Sequence, residues 1–117
     1  MEGLVSGPDE GELLEGEHRR LRVKVSRPEL DVLEFEIEPG FEGPGPHFHR
    51  QHVDSFYVLE GEVVFTVDGE EVRAGPGTFV AAPPGVVHGF QVVGDRELRM
   101  LNVHTPNTGF ADRMRGR

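Results

Sequence analysis

Along most of the chain, apolar and polar residues alternate with a period of two, the pattern of strands that bury one face. Leu21, Val23 and Val25 alternate with Arg22 and Lys24. After the break at Arg27-Pro28, Leu33, Phe35 and Ile37 run in phase against Glu34, Glu36 and Glu38. Residues 56–59 form a continuous apolar run, as a strand covered on both sides would. Val63, Phe65 and Val67 follow, and Asp68-Gly69 is a two-residue hairpin signal leading to a strand over residues 70–74. Further strands are predicted over residues 78–82, 88–93 and 98–103, and a short helix only within residues 108–115. No segment is long enough for the crossover helices of an α/β fold, which leaves an all-β sandwich or barrel.

Composition supports this reading and narrows the function. The chain has 117 residues, 36% of them hydrophobic, with eight Phe, enough for one core and one domain. Sixteen Gly and nine Pro spread along it fit many turns between short elements. Residues 1–16, rich in Gly and Glu and without periodicity, predict an acidic N-terminal arm or edge segment; residues 17–117 predict the single barrel domain and a short tail. Residues 1–17 carry Glu2, Asp9, Glu10, Glu12, Glu15 and Glu17 with no basic residue among them, whereas the tail carries Arg113, Arg115 and Arg117. The net charge of −9 argues against nucleic acid, whose phosphates need a basic face. No cysteine is present, so disulfides, thiolate ligands and iron–sulfur clusters are excluded. With no signal-peptide pattern and no apolar run near the roughly 20 residues of a membrane helix, a soluble, cytoplasmic protein away from membranes is expected.

The chemistry concentrates in histidine. Six occur, at 18, 47, 49, 52, 88 and 104, and three of them crowd behind the Pro/Gly loop of residues 43–46. On a strand, residues i and i+2 share a face with Cα atoms about 6.6–7 Å apart, so His47 and His49 can converge on one ion. His88, beyond the Pro83-Pro84-Gly85 turn, would close the site from a distant strand. Asp54 is the acidic partner expected to complete it, although a flat strand through residues 47–58 would turn Asp54 away from His49. A bend between Arg50 and Val53 is therefore required. His52 has the same parity as Asp54, so alternation alone leaves either as the fourth ligand. His104, at the end of the last strand, is placed at the pocket mouth, and His18, beside two arginines, at the surface. Ser6, Ser26 and Ser55 lie in no nucleophile-elbow pattern, the 40–45 loop lacks the Lys-Ser/Thr of a phosphate loop, and Lys24 is the only lysine.

These residues resemble a known family. Residues 43–61, GPGPHFHRQHVDSFYVLEG, are similar to the first cupin signature: HxH, four residues, an acidic residue, six residues, Gly. Residues 77–88, GTFVAAPPGVVH, are similar to the second: Gly, five residues, PxG, two residues, His. The resemblance spans roughly residues 30–105 and implies an all-β double-stranded β-helix, the cupin jelly-roll barrel, with one divalent transition metal inside. Among cupins the chain looks most like small single-domain proteins related to quercetin dioxygenase-like enzymes. Two departures stand out: Asp54 occupies the usual glutamate position, one methylene shorter, and Val92 stands where an asparagine often follows.

Three imidazoles and one carboxylate suit Fe, Mn, Ni, Co or Zn and leave open positions for a small oxygenated molecule. The function expected is a metal-binding cupin acting on or binding such a molecule, as a dioxygenase in the enzymatic case. The alternatives are a non-catalytic metal- or ligand-binding cupin and a metal-dependent isomerase or epimerase. Phe41, Phe56, Phe65 and Phe90 are expected to supply the apolar wall. A homodimer is expected from the resemblance, through the alternating apolar positions of residues 21–25.

Overall fold

The period-two segments fold as strands and residues 12–16, which lack that pattern, add one more, giving nine among the described residues: β1 (Glu12–Gly16), β2 (Arg19–Arg27), β3 (Leu30–Ile37), β4 (Val53–Glu60), β5 (Glu62–Val67), β6 (Glu70–Ala74), β7 (Phe79–Ala82), β8 (His88–Val93) and β9 (Leu98–Thr105). One short helix follows, α1 (Phe110–Met114). The computed structural model describes residues 3–43 and 45–116, so Glu2, Pro44 and Arg117 lie outside the described residues. All strand pairs are antiparallel, in a six-stranded sheet ordered β1-β2-β3-β9-β4-β7 and a three-stranded sheet ordered β6-β5-β8. Their inner faces share one core: Leu21, Leu33, Phe35, Ile37, Phe56, Val58, Leu98 and Met100 from the first, Val63, Phe65 and Val92 from the second.

Turn chemistry sets the registers. Asp68 and Gly69 both have positive φ, 50° and 83°, as a type I′ hairpin demands, and lock Val67 opposite Glu70. Gly61, the last residue of the first signature, has φ of 86°, and a Cβ there would sit 2.6 Å from the Glu97 carbonyl oxygen. Only glycine fits that turn between β4 and β5. At the N-terminus β1 is the edge strand, and the preceding segment is tied to β2 by Lys24, whose Nζ donates to the carbonyls of Gly7 (2.7 Å) and Glu10 (2.8 Å).

The inward positions of four strands change character from one end of the barrel to the other. In β3 they read Ile37, Phe35, Leu33, then Asp31; in β9 Leu98, Met100, then Asn102 and His104; in β4 Val58, Phe56, then Asp54; in β8 Val92, Phe90, then His88. Register stacks the polar ends side by side: Asp31 opposes His104, and His104 opposes Asp54. One end of the barrel is therefore a dry core and the other a polar chamber.

Two expectations from alternation need correction. Residues 21–25 do not form an outer docking face. Leu21 is 1% exposed and Val23 packs on the core, because β2 has sheet neighbours on both sides and turns this phase inward. A bulge between Val23 and Val25 then reverses the phase. Nor do His47 and His49 lie on a regular strand: their segment makes only an isolated bridge to β8, His47 opposite His88.

Candidate metal centre

The Pro/Gly-rich approach cannot sustain a ladder, so the segment carrying His47 and His49 is held at two points. His47 and His88 exchange backbone hydrogen bonds (2.9 and 2.7 Å), and the Gly85 N–H donates to the His49 carbonyl at 2.7 Å. Bends at Arg50 and Gln51 then reorient the chain before β4 begins, supplying the reversal that brings Asp54 to the histidine side. One ligand-type atom from each of His47, His49, Asp54 and His88 lies within 4.8 Å of all the others.

Hydrogen bonding orients two of these rings. Nδ1 of His47 lies 2.9 Å from the Gly45 carbonyl oxygen, and Nδ1 of His88 lies 2.9 Å from that of Val86. A carbonyl can only accept, so each Nδ1 carries a proton and Nε2 is the ring nitrogen left with a lone pair that could hold a metal. Nε2 of His88 meets Oδ2 of Asp54 at 3.0 Å, and Nε2 of His49 is 3.4 Å from the same oxygen. Burial opposes charge on His88, yet the bonds to Asp54 and Val86 outweigh it and raise its pKa. His49 moves the other way: burial lowers it, with His47 and His88 adding repulsion. Asp54, 5% exposed, remains a carboxylate well below its ordinary range. Burial pushes it up, but hydrogen bonds from His104, His88 and Asn102 overcome that.

A second set of residues reaches Asp54 from behind. Asn102 Nδ2 donates to Asp54 Oδ1 at 2.7 Å and to the Ser55 carbonyl at 2.9 Å. His104 Nε2 is 3.3 Å from the same Oδ1, and His104 Nδ1 is 3.0 Å from Oδ2 of Asp31. Asp31 is fully buried, with its Oδ1 unpartnered among the described residues. His104 is thus flanked by two carboxylates. Burial alone would lower its pKa, and Asp31 and Asp54 together raise it to about 9. His104 lies inside the chamber at 4% exposure, not at the mouth. His52 joins Asp54 and His104 in a second group of ligand-type atoms, so Asp54 belongs to both groups. Burial, then His49 and His104, lower His52 to about 4. His18 is exposed and bonded to Glu38 at the rim of the cavity, outside both groups of ligand-type atoms.

Sequence reading passed over Asp31 and Asn102. Both were visible as polar residues in the inward phase of otherwise apolar strands, a placement that is costly unless the group is hydrogen-bonded.

The chamber opens into a cavity of about 860 Å³, a size ordinary for a small-ligand site. Phe41, Phe56 and Phe90 line it as expected. Phe65 does not: it is 1% exposed and packs behind Phe56 and Phe90, with ring centroids 5.1 and 6.0 Å away. Phe35 and Phe110 complete the wall. The donor set fits a divalent transition ion, since imidazole nitrogens and a carboxylate converge with outer partners already in place.

Residues 33–104 match the cupin domain family. The chain belongs to the cupins. Over 46 residues it is 37% identical to quercetin 2,3-dioxygenase of Bacillus subtilis (strain 168), a stretch covering 39% of this chain and 14% of that enzyme. An RmlC-like cupin from Shewanella frigidimarina superposes with a TM-score of 0.80 at 25% identity, over 91% of this cupin and 93% of that chain. KdgF from a Halomonas species gives 0.77 at 21% identity, over 86% and 90% of the two chains. The likeness to KdgF shows the barrel fold, and the His/Asp group of this cupin is one that could hold a metal.

Proposed function

We propose that this cupin binds one divalent transition metal through His47, His49, His88 and Asp54 and uses it to hold a small oxygenated molecule in the aromatic-walled cavity. With Fe(II) bound, the proposed reaction is a dioxygenation. The observation that carries this reading is the convergence of the four side chains at the cavity floor, with two rings already turned by backbone carbonyls. The partial similarity to a quercetin 2,3-dioxygenase supports the choice of reaction. Such an ion supplies Lewis acidity toward oxygen donors and, as iron, electrons for O₂ chemistry. The residues of the chain do the rest: Phe41, Phe56 and Phe90 exclude water and orient the molecule, while Asn102 and His104 hold the Asp54 carboxylate.

Elemental analysis of the purified protein, followed by oxygen uptake by the Fe(II)-loaded form over flavonols, diketones and thiols, tests the proposal. One metal per chain and uptake with at least one substrate class are expected. Absence of stoichiometric metal would end the metal reading; metal without uptake would leave a binding protein and remove the dioxygenase.

We also propose a homodimer, formed by the outer face of the larger sheet. Tyr57 and Phe79 pair across β4 and β7 with ring centroids 6.5 Å apart, and they are 38% and 62% exposed. Leu101, opposite Tyr57, and Val103, opposite Val32, extend the apolar surface. Sedimentation of wild type and Phe79→Glu tests it, a dimer that becomes a monomer being expected.

A further inference from the structure

Arg19 opens β2 in the same phase as Leu21, on the inward face of the sheet, and it lines the cavity. Its neighbours are unusual for a half-buried cation. The guanidinium carbon lies 5.8 Å from the centre of the Phe41 ring and 5.9 Å from that of Phe110, and one Nη donates to the Met114 sulfur at 3.4 Å. Thioether sulfur is a weak acceptor, and aromatic faces take no part of the guanidinium's planar fork of donors. Glu15, Glu17 and Glu42 also line the mouth, yet among the described residues no carboxylate pairs with Arg19. Arg20, Arg27, Arg73, Arg99 and Arg115 have carboxylate partners, and of the described arginines without one only Arg19 and Arg113 line the cavity. In a chain of net charge −9, an unpaired arginine on a core-facing position is out of keeping with simple solvation of the surface. Burial lowers its pKa from the ordinary value, as expected for a cation desolvated without a compensating anion.

We propose that Arg19 receives the head group of the cavity's ligand, and that this ligand is a small monocarboxylate whose apolar body lies along Phe41, Phe90 and Phe110 toward the histidines. The inference rests on the reading of the cavity as the ligand site and adds the substrate class. A carboxylate matches the fork bidentately, and rings that clamp the guanidinium plane leave its edge free for that contact. One half-buried guanidinium without a carboxylate partner matches one negative charge; the glutamates at the mouth disfavour a dianion. Arg113 sits at the same mouth, over Phe110 at 5.8 Å, but it is exposed and donates to the Thr108 carbonyl, which suits it to steering rather than gripping.

Calorimetric titration of the full chain, metal-free and Zn(II)-loaded, with 3-phenylpropionate, its neutral amide and phenyl phosphate tests this directly. Wild type is expected to favour the carboxylate over the amide by about tenfold or more, as a charge-assisted bidentate contact should, with phenyl phosphate weaker than the carboxylate. Arg19→Gln should remove the preference while leaving amide affinity in place. Arg19→Lys, which keeps the charge but not the fork, should lose most of it and serves if the glutamine variant does not fold. Equal binding of acid and amide, no carboxylate binding at millimolar concentration, tighter binding of the phosphate, or an undiminished preference in both variants would each overturn the assignment. The metal reading fails separately. A chain that takes up no metal but keeps the Arg19-dependent preference refutes the ion and retains the carboxylate.

Discussion

His104 donates through Nδ1 to Oδ2 of Asp31 at 3.0 Å, joining the inward faces of β9 and β3 by an ion pair that is almost wholly removed from solvent. The pair follows from register, since Asp31 and His104 are direct cross-strand partners. Its consequence is felt on the next strand, where the other ring nitrogen of His104 faces Asp54. A short aspartate in the place of a glutamate is thereby fixed from behind by His104 and Asn102.

Removing one member of this pair leaves a buried charge uncompensated. Asp31→Ala is expected to destabilise the fold by about 3–5 kcal/mol, the usual cost of breaking a buried ion pair. Urea denaturation of wild type and variant measures it, and a loss under about 1 kcal/mol would show that the pair is not held as described.

Stability of the metal-free protein should peak near neutrality. His104 is raised to about 9, above its unfolded value of 6.5, so its contribution is complete below pH 6.5 and is lost as pH climbs toward 9. His52 is lowered to about 4, so folding disfavours its protonation and stability is lost as pH falls from 6.5 toward 4. Asp54, lowered as well, adds to the loss on the acid side once pH drops below its unfolded value of 3.8. Melting temperature against pH should therefore fall on both sides. Asp31→Asn should flatten the alkaline side, and a wild-type protein most stable above pH 9 contradicts the His104 assignment.

Metal uptake should separate the two histidine groups. His47→Ala and His88→Ala are expected to lose Co(II) affinity by at least about 100-fold, the upper range for damage to a site's outer support and a floor for loss of a ligand. His52→Ala should stay within a few-fold of wild type. Spectrophotometric titration reads both, and the reverse order would move the ion to the group of His52, Asp54 and His104. Saturation at 100 times Kd should raise stability by about 2.7 kcal/mol, visible as a melting shift that a chelator reverses.

Asn102 should matter without touching the ion. Asn102→Ala frees Oδ1 of Asp54 from its 2.7 Å bond and is expected to weaken metal binding about 10–100-fold. Asn102→Asp, placing a second carboxylate against Asp54, should weaken it further at neutral pH and recover partly on acidification. An unchanged affinity in both variants removes Asn102 from the support of the site.

Local pattern was enough for β2 to β9, though not for β1, and for much of the candidate site. Period two, the Asp68-Gly69 turn and the Pro/Gly breaks specify strands and hairpins because side-chain alternation and φ constraints act between near neighbours. The histidines at 47, 49 and 88 stand out by spacing alone. The tertiary structure decided what depends on register between distant strands. Only pairing of β3, β9 and β4 makes Asp31, His104 and Asp54 a row, and only the bends at Arg50 and Gln51 turn Asp54 back toward the histidines. Parity shows that two residues share a face, but not whether that face looks inward. Leu21 and Val23 turned inward with Arg19 beside them, because closure of the barrel, a balance of burial over the whole chain, assigns each face its side.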